Sequence, residues 1–481
     1  MYFATSKANL KRICNTSAVV FISSHTWYGR YDTVKLVNAV NETVWGVPML
    51  VLLVGCGVYY SLRLGFFQLT KISLWSRETF GVLFKKEKAT AGKISPYNAV
   101  AAALASSVGT GNIVGVAMAI ASGGPGAVFW MWLSAFFGMA TKYAEIFLAV
   151  KFRQEKNGEA YGGPMYYIEK GLGKEYRWLA VIFSFSGIFA CLGMGAMSQA
   201  NSISSVITSH GVPDKLVGIV LGVAAFAVIS GGVSRISSAA GKLVPLMAGM
   251  YILGGIFIIM IYPGKALFAI EKIFTCAVSP SAIYGGIAGD MTKRALHFGI
   301  ARGVFSNEAG LGSAPIIHAS ADAKSPVIQG FWGVFEVFVD TILVCSVTAV
   351  AVIATDVYRL PTPGARMVSL AFGSLFGSFG TVFVSVATCL FALSTILGWS
   401  YYGERCISYL TGESKIAKNI FRASFCVAAT MGACMHAEIV WELGDMFNGI
   451  MMIPNLTAII LLSGIVIKES CTEIKKLSGK S

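Results

Sequence analysis

A backbone inside a bilayer must satisfy every N–H and C=O internally, which leaves only helices and closed barrels. That limit governs this chain, because apolar runs of membrane-spanning length recur along most of it. About eleven can be read, at 46–66, 97–121, 126–150, 178–208, 213–232, 243–262, 297–319, 327–355, 374–400, 418–435 and 446–467. The short alternation of a membrane barrel is absent. Apolar residues make up 55% of the chain and charged residues 13%, too little charge to cover a water-facing surface. The expected fold class is an all-α polytopic membrane protein with about eleven transmembrane helices. A single transmembrane domain over 46–467 would follow a tail at 1–45 and precede a second tail at 468–481. In the first tail, Val34, Leu36, Val37, Val40 and Val44 make a helical stripe suited to an interfacial helix.

The net charge of +14 does not indicate nucleic acid, because the cations sit in short loops rather than on one basic face. In such loops Lys and Arg report orientation. With eleven spans, 23 of the 38 fall on one side, chiefly in 63–93, 151–177 and the C-terminal tail, and 12 on the other. The richer side is expected to be cytoplasmic, with the N-terminus outside and the C-terminus inside. The 10 cysteines are scattered singly, without zinc-ligand spacing, and Cys345 and Cys389 read as small packing residues. The 5 histidines have no nucleophile or metal partner at an informative distance. Neither an enzyme nor an ATP-driven pump is supported, and no organic cofactor is expected.

Two segments are interrupted. In 97–121 the run Gly109-Thr110-Gly111-Asn112 falls at mid-membrane depth, where glycine weakens a helix and frees backbone groups. In 297–319 the run from Gly303 to Gly312 holds Ser306, Asn307 and Glu308, polar groups that hydrocarbon penalises unless they face protein or a hydrated cavity. Glycine-mediated helix packing explains most single cases. The matched pair, each with an asparagine, favours a site. The two segments are five spans apart and cross in opposite directions, so segments 2–6 and 7–11 are expected to form inverted five-helix repeats. Paired broken helices in inverted halves are the sequence pointer to a secondary transporter's central site.

The same residues carry a resemblance. Ser107-Val-Gly-Thr-Gly-Asn-Ile-Val-Gly115, Tyr161-Gly-Gly-Pro-Met-Tyr-Tyr167, Met197-Ser-Gln-Ala-Asn201, Gly303-Val-Phe-Ser-Asn-Glu-Ala-Gly310 and Ser394-Thr-Ile-Leu-Gly-Trp-Ser-Tyr-Tyr-Gly403 occur in order. From about Asn41 onward the chain resembles the alanine or glycine:cation symporters, the sodium:alanine symporter family. The resemblance implies a leucine-transporter-like fold, sodium as the coupling ion, and alanine, glycine or a close small neutral amino acid as substrate. It also implies a prokaryotic inner (plasma) membrane as the location, with lipid as the surrounding partner.

A zwitterion needs donors for its carboxylate, acceptors for its ammonium and a wall for its side chain. Free amides around Gly109 and Gly111, with Asn112 beside them, supply donors at a half-helix end. Gln199 offers donor and acceptor, and the resemblance assigns Asn112 and Gln199 to substrate contact. Thr395 and Trp399 share a helix face, and the resemblance carries substrate contact onto both. Phe305 is preferred to Phe298 as a pocket wall. Sodium seeks several oxygens; the expected set is the backbone at Val108 and Gly109 with Ser394 and Thr395, and in addition Thr110 and Asn307. For each hydroxyl the competing reading is a bond back to its own helix.

The intramembrane acids are left without a coupling role. Glu336 and Asp340 lie one turn apart and have the makings of a proton relay. Glu145 is expected to form a structural pair with Lys142, and Glu308 to brace the second break by bonding freed amides. The expected function is sodium-driven import of a small neutral amino acid by alternating access. A proton-coupled amino-acid permease is the alternative within transport, and a non-transporting membrane sensor or channel the alternative outside it.

Overall fold

The computed structural model describes residues 37, 39–81, 93–156, 159–208, 211–278, 286–362 and 364–479, without the side chains of 286–289. Helix α1 spans Val47–Arg63. A bent pair follows, α2 at Pro96–Ser107 and α3 at Gly111–Gly123, meeting at 47°. Helix α4, Ala127–Lys151, leads to an antiparallel hairpin of β1, Gln154–Lys156, and β2, Glu159–Tyr161, with Glu155 opposite Ala160. Next come α5 at Lys174–Ile207, α6 at Asp214–Ile229, α7 at Gly232–Ile261 and α8 at Pro263–Ala277. Helix α9, Gly286–Asn307, stops at the second interruption and the short α10, Ala314–His318, resumes beyond it. The remainder is α11 at Pro326–Ala354, α12 at Ala365–Phe376, α13 at Ser378–Thr411, α14 at Lys415–Cys434, α15 at Ala437–Leu461 and α16 at Ser463–Leu477.

Six helices among the described residues, α4, α5, α7, α11, α13 and α15, are long and apolar enough to cross a membrane, or seven spans if α2 and α3 count as one. The other expected segments fall short for identifiable reasons. Helices α1 and α6 have 17 and 16 residues. Helix α9 carries Asp290, Lys293, Arg294 and Arg302, and α14 carries Lys415, Lys418 and Arg422. Helix α7 begins at Gly232 rather than near 243, and α8 and α12 form separate helices within stretches read as loops. The stripe suggested for an interfacial helix lies mostly outside the described residues. Its end is helical over 39–44, where Asn41 Nδ2 donates to the Glu442 carbonyl and the following Trp45 Nε1 to that of Asp445.

Local chemistry starts and stops the central helices. Ser95 Oγ accepts from the Asn98 amide ahead of Pro96, and Ser325 Oγ accepts from that of Ile328 ahead of Pro326. A serine cap followed by proline in the first turn satisfies one orphan N–H and dispenses with another. Helix α4 packs between α9 and α11, while α5 packs against α13, α14 and α15. Helices α6, α7, α8 and α14 turn large apolar side chains outward, among them Val223, Leu253, Leu267 and Ile420, as a lipid-facing belt requires.

The basic loops gather at one end. Lys71 reaches Ser478, Lys151 pairs with Glu469 and Lys93 with Glu155. At this end the hairpin ties several elements together. Ser320 Oγ donates to the Ala160 carbonyl, and Arg153 Nη1 donates to that of Ala321 at 2.7 Å. Arg405 of α13 bonds Glu159 while lying against the rings of Tyr161 and Tyr401.

Candidate functional site

The two interruptions face each other at the centre. A Cβ on Gly111 would sit 3.2 Å from Ser306 Cα. A Cβ on Gly109 would collide with Thr395 Oγ1, so only glycine lets α13 approach the first break this closely. The freed amides find side-chain partners, as buried backbone must. The Gly109 amide donates to Asn112 Oδ1 at 2.8 Å. The Thr110 amide and hydroxyl both donate to Gln199 Oε1, at 3.3 and 2.9 Å, while Gln199 Nε2 donates to the Met194 carbonyl. In the second break the Ala309 amide donates to Asn307 Oδ1. Glu308 there has φ 59°, a left-handed backbone rare for a side chain of this size.

Asp340 of α11 joins the two breaks. Its Oδ1 accepts from Asn112 Nδ2 at 2.7 Å, and its Oδ2 accepts from the hydroxyls of Ser306 and Thr341, each at 2.9 Å. Asn307 Nδ2 donates in turn to Thr341 Oγ1 at 3.1 Å. The carboxylate is fully buried, and these hydrogen-bond partners are neutral. A buried charge held by neutral donors is expensive. A group of oxygens around it matches what a hard cation requires. Cys345, read from the sequence as packing alone, lies 3.3 Å from Asn112 Nδ2 and 3.4 Å from Ser306 Oγ, inside this cluster.

Of the other sequence-derived residues, Thr395 Oγ1 lies 3.2 Å from the Ala105 carbonyl and 3.1 Å from that of Phe391, next to the first break. Ser394 differs: its hydroxyl donates to the Phe391 carbonyl and lies beside Met247 Sδ. Val108 ends α2, and the Gly109 carbonyl accepts from the Asn112 amide. Thr110 is drawn towards Gln199 rather than Asp340. Trp399 is fully buried and its indole donates to Glu308 Oε1 at 2.9 Å, while Glu308 Oε2 accepts from Ser313. Glu308 thus braces the second break through an indole and a hydroxyl, not through the freed amides. The expected Lys142–Glu145 pair is also replaced. Lys142 reaches across to Glu336 of α11 at 3.0 Å, and Glu145 accepts from Asn455 of α15.

Phe305 stacks on Trp441 at 5.2 Å between centroids. Arg302 lies over both rings and makes a paired contact with Asp445, at 2.8 and 3.2 Å. Beyond this plug, at the end opposite the hairpin, is a cavity of about 980 Å³ lined by Val114, Met118, Asn201, Arg302, Trp441 and Asp445 among others. Phe305 itself is 1% exposed.

The chain is similar to several known transporters. The sodium/alanine symporter AgcS of Methanococcus maripaludis is 43% identical over 460 residues, covering 94% of this chain and all of that one. A probable sodium/glutamine symporter, GlnT of Bacillus subtilis, is 34% identical over 440 residues, covering 90% and 88%. A solved substrate-bound, outward-open Na+-coupled sialic acid symporter shares the fold, with TM-score 0.52, 14% identity and 86% of each chain covered. The family described as sodium:alanine symporters matches residues 31–477. With bent helices meeting at a buried carboxylate and a family match over most of its length, the chain belongs to the sodium:alanine symporter family, a family of membrane transporters and not of enzymes.

Proposed function

We propose that the protein is a sodium-coupled symporter that imports alanine, glycine or a close small neutral amino acid by alternating access. The observation that carries this reading is Asp340, whose one carboxylate holds both helix breaks through Asn112 and Ser306. A cation arriving there neutralises a buried charge and draws the breaks together, which makes ion occupancy and the shape of the adjoining pocket interdependent. Asp340 with the hydroxyls of Ser306 and Thr341 supplies oxygens for one ion, and Asn307 holds Thr341 beside them. Thr395 and Ser394, with the backbone at Val108 and Gly109, supply another group, and Thr110 joins an ion only by leaving Gln199.

The amino-acid carboxylate meets the amides of the first break from Gly109 to Gly111, beside Asn112. Gln199 exchanges its bond to Thr110 for one to the substrate, and Phe305 and Trp399 wall the side chain. Alternating access rocks α2–α3, α4, α9 and α11 against α5, α6, α13 and α14, as expected of inverted repeats spanning α2–α7 and α9–α15. The Arg302–Asp445 plug closes the outside and the hairpin with Arg405 closes the inside. The clustering of basic loops around the hairpin supports a cytoplasmic placement of that end.

Sealed vesicles containing the protein should accumulate labelled alanine under an inward sodium gradient, and stop in sodium-free buffer. Uptake that persists without sodium under a proton gradient would replace this reading with a proton-coupled permease. Ligand binding or ion flux without accumulation would replace it with a sensor or channel. Competition with glycine, serine and glutamine would define the substrate.

A further inference from the structure

Lys142 of α4 takes no part in the cycle just described, yet it is fully buried and fully engaged. Its ammonium lies 3.0 Å from Glu336 Oε1 and donates to the Asn307 carbonyl at 2.8 Å. The other oxygen of Glu336 is 3.2 Å from His318 Nε2, and Gln329 Nε2 is 2.8 Å from His318 Nδ1. Since Gln329 Nε2 can only donate, His318 carries its proton on Nε2 and donates it to Glu336. Glu336 is therefore fixed by His318 on one side and presents its charge to Lys142 on the other.

The place where the ammonium lands is informative. Asn307 is the last residue of α9, so its carbonyl belongs to the negative end of that half-helix, where a cation is favoured. The next residue is Glu308 in its left-handed conformation, with its carboxylate tied to Ser313 and Trp399. Strained backbone persists only where its surroundings fix it. From Asn307 the contacts continue through Thr341 to Asp340. A buried ion pair alone is seldom better than apolar packing of the same volume. This one has a third member, the main chain at the turning point of the second break.

We propose that Lys142 is a positioning residue for sodium coupling. Anchored by Glu336 and His318, it pins the Asn307 carbonyl and thereby sets the position of Asn307 and Thr341 against the Asp340 carboxylate. The proposal rests on the sodium-symport reading of the protein. It makes Lys142 act through the ion site, with no contact to the substrate.

The test uses the full-length protein in sealed vesicles, as the natural chain, as Glu336→Gln, and as Lys142→Met with Glu336→Gln, which removes both charges together. Labelled alanine uptake is measured against sodium concentration, and against alanine at saturating sodium; thermal melting is recorded in choline buffer. The double variant is expected to raise the sodium half-saturation roughly tenfold, the scale of a lost charge-assisted hydrogen bond, with little change in alanine half-saturation. Glu336→Gln, which keeps an acceptor but not the charge, should raise it roughly threefold. Unchanged sodium half-saturation in both variants, with lower maximal uptake or melting temperature, would make the triad a structural pair and overturn the proposal. If the double variant does not fold, an unshifted Glu336→Gln overturns it alone. Absence of sodium-driven uptake in the natural protein would instead remove the functional reading on which it rests.

Discussion

Replacing Asp340 with asparagine removes one charge at nearly constant volume. Its Oδ1 can still accept from Asn112, and the hydroxyls of Ser306 and Thr341 can rotate to accept from the new amide, so the two breaks remain joined. What is lost is attraction for a cation. At a separation of about 4 Å and an effective dielectric near 20, a charge pair is worth about 4 kcal/mol. Part of that is returned because the empty site no longer buries a carboxylate. A net loss of about 2–4 kcal/mol corresponds to a roughly thirty- to several-hundredfold weaker hold on sodium. Uptake of labelled alanine in sealed vesicles, titrated with sodium at constant ionic strength, would read the change directly. Melting temperature gives a second view. Sodium should raise it in the natural protein by mass action and raise it less in the variant. Natural sodium half-saturation in a variant that still transports would refute the assignment of the carboxylate to the ion.

Gln199→Ala should weaken binding of all amino acids alike by about 1–3 kcal/mol, since it removes a polar partner from the buried zwitterion; competition with glycine, serine and valine would show an unchanged ranking. Trp399→Ala opens the wall and unties Glu308, so size preference should fall by about 10- to 200-fold, read from the same competitors; an unchanged ranking would leave Trp399 as packing only. Glu159 lies in the hairpin outside the long helices. Burial raises its pKa, but the Arg405 guanidinium and the Tyr161 hydroxyl outweigh that and hold it below the ordinary carboxylate value. Its contribution is therefore fully present above the unfolded pKa of about 4.3 and lost as acid passes the lower folded value. The gap in melting temperature between the natural protein and Glu159→Gln should hold steady near neutrality and close only in strong acid; a gap that stays open there would refute the role of the charge.

The breaks were legible because an asparagine beside paired glycines, deep in an apolar run, is costly unless it faces protein or a hydrated cavity. Asn112 carries that signal, whereas Gln199 and Thr395 rest on the family resemblance, and the three side chains converge on the first break. Asp340 was seen only as an acid one turn from Glu336. Its meaning depends on Asn112, 228 residues away, and on Ser306, 34 residues away, and no local spacing encodes either contact. Lys142 shows the same limit from the other side. The local periodicity offered Glu145 as a partner, but packing of α4 against α11 brought Glu336 closer. Cys345 reads as packing alone because a lone cysteine in an apolar run carries no other signal until its neighbours are known. Helices α8 and α12 were not legible because their stretches read as loops between apolar runs.

The bond between the Trp399 indole and Glu308 has a consequence for how an unsuitable amino acid is refused. A wall that stood free could tilt aside, and an oversized guest would simply be held less tightly. Here the wall is fastened to the turning point of the other broken helix. A side chain that pushes the indole away also pulls on Glu308, and so holds the second half-helix out of place. Such a guest would enter, occupy the centre and stall there. Larger neutral amino acids are then expected to act as blockers: they should slow alanine entry when present outside, yet fail to drive its exchange when loaded within.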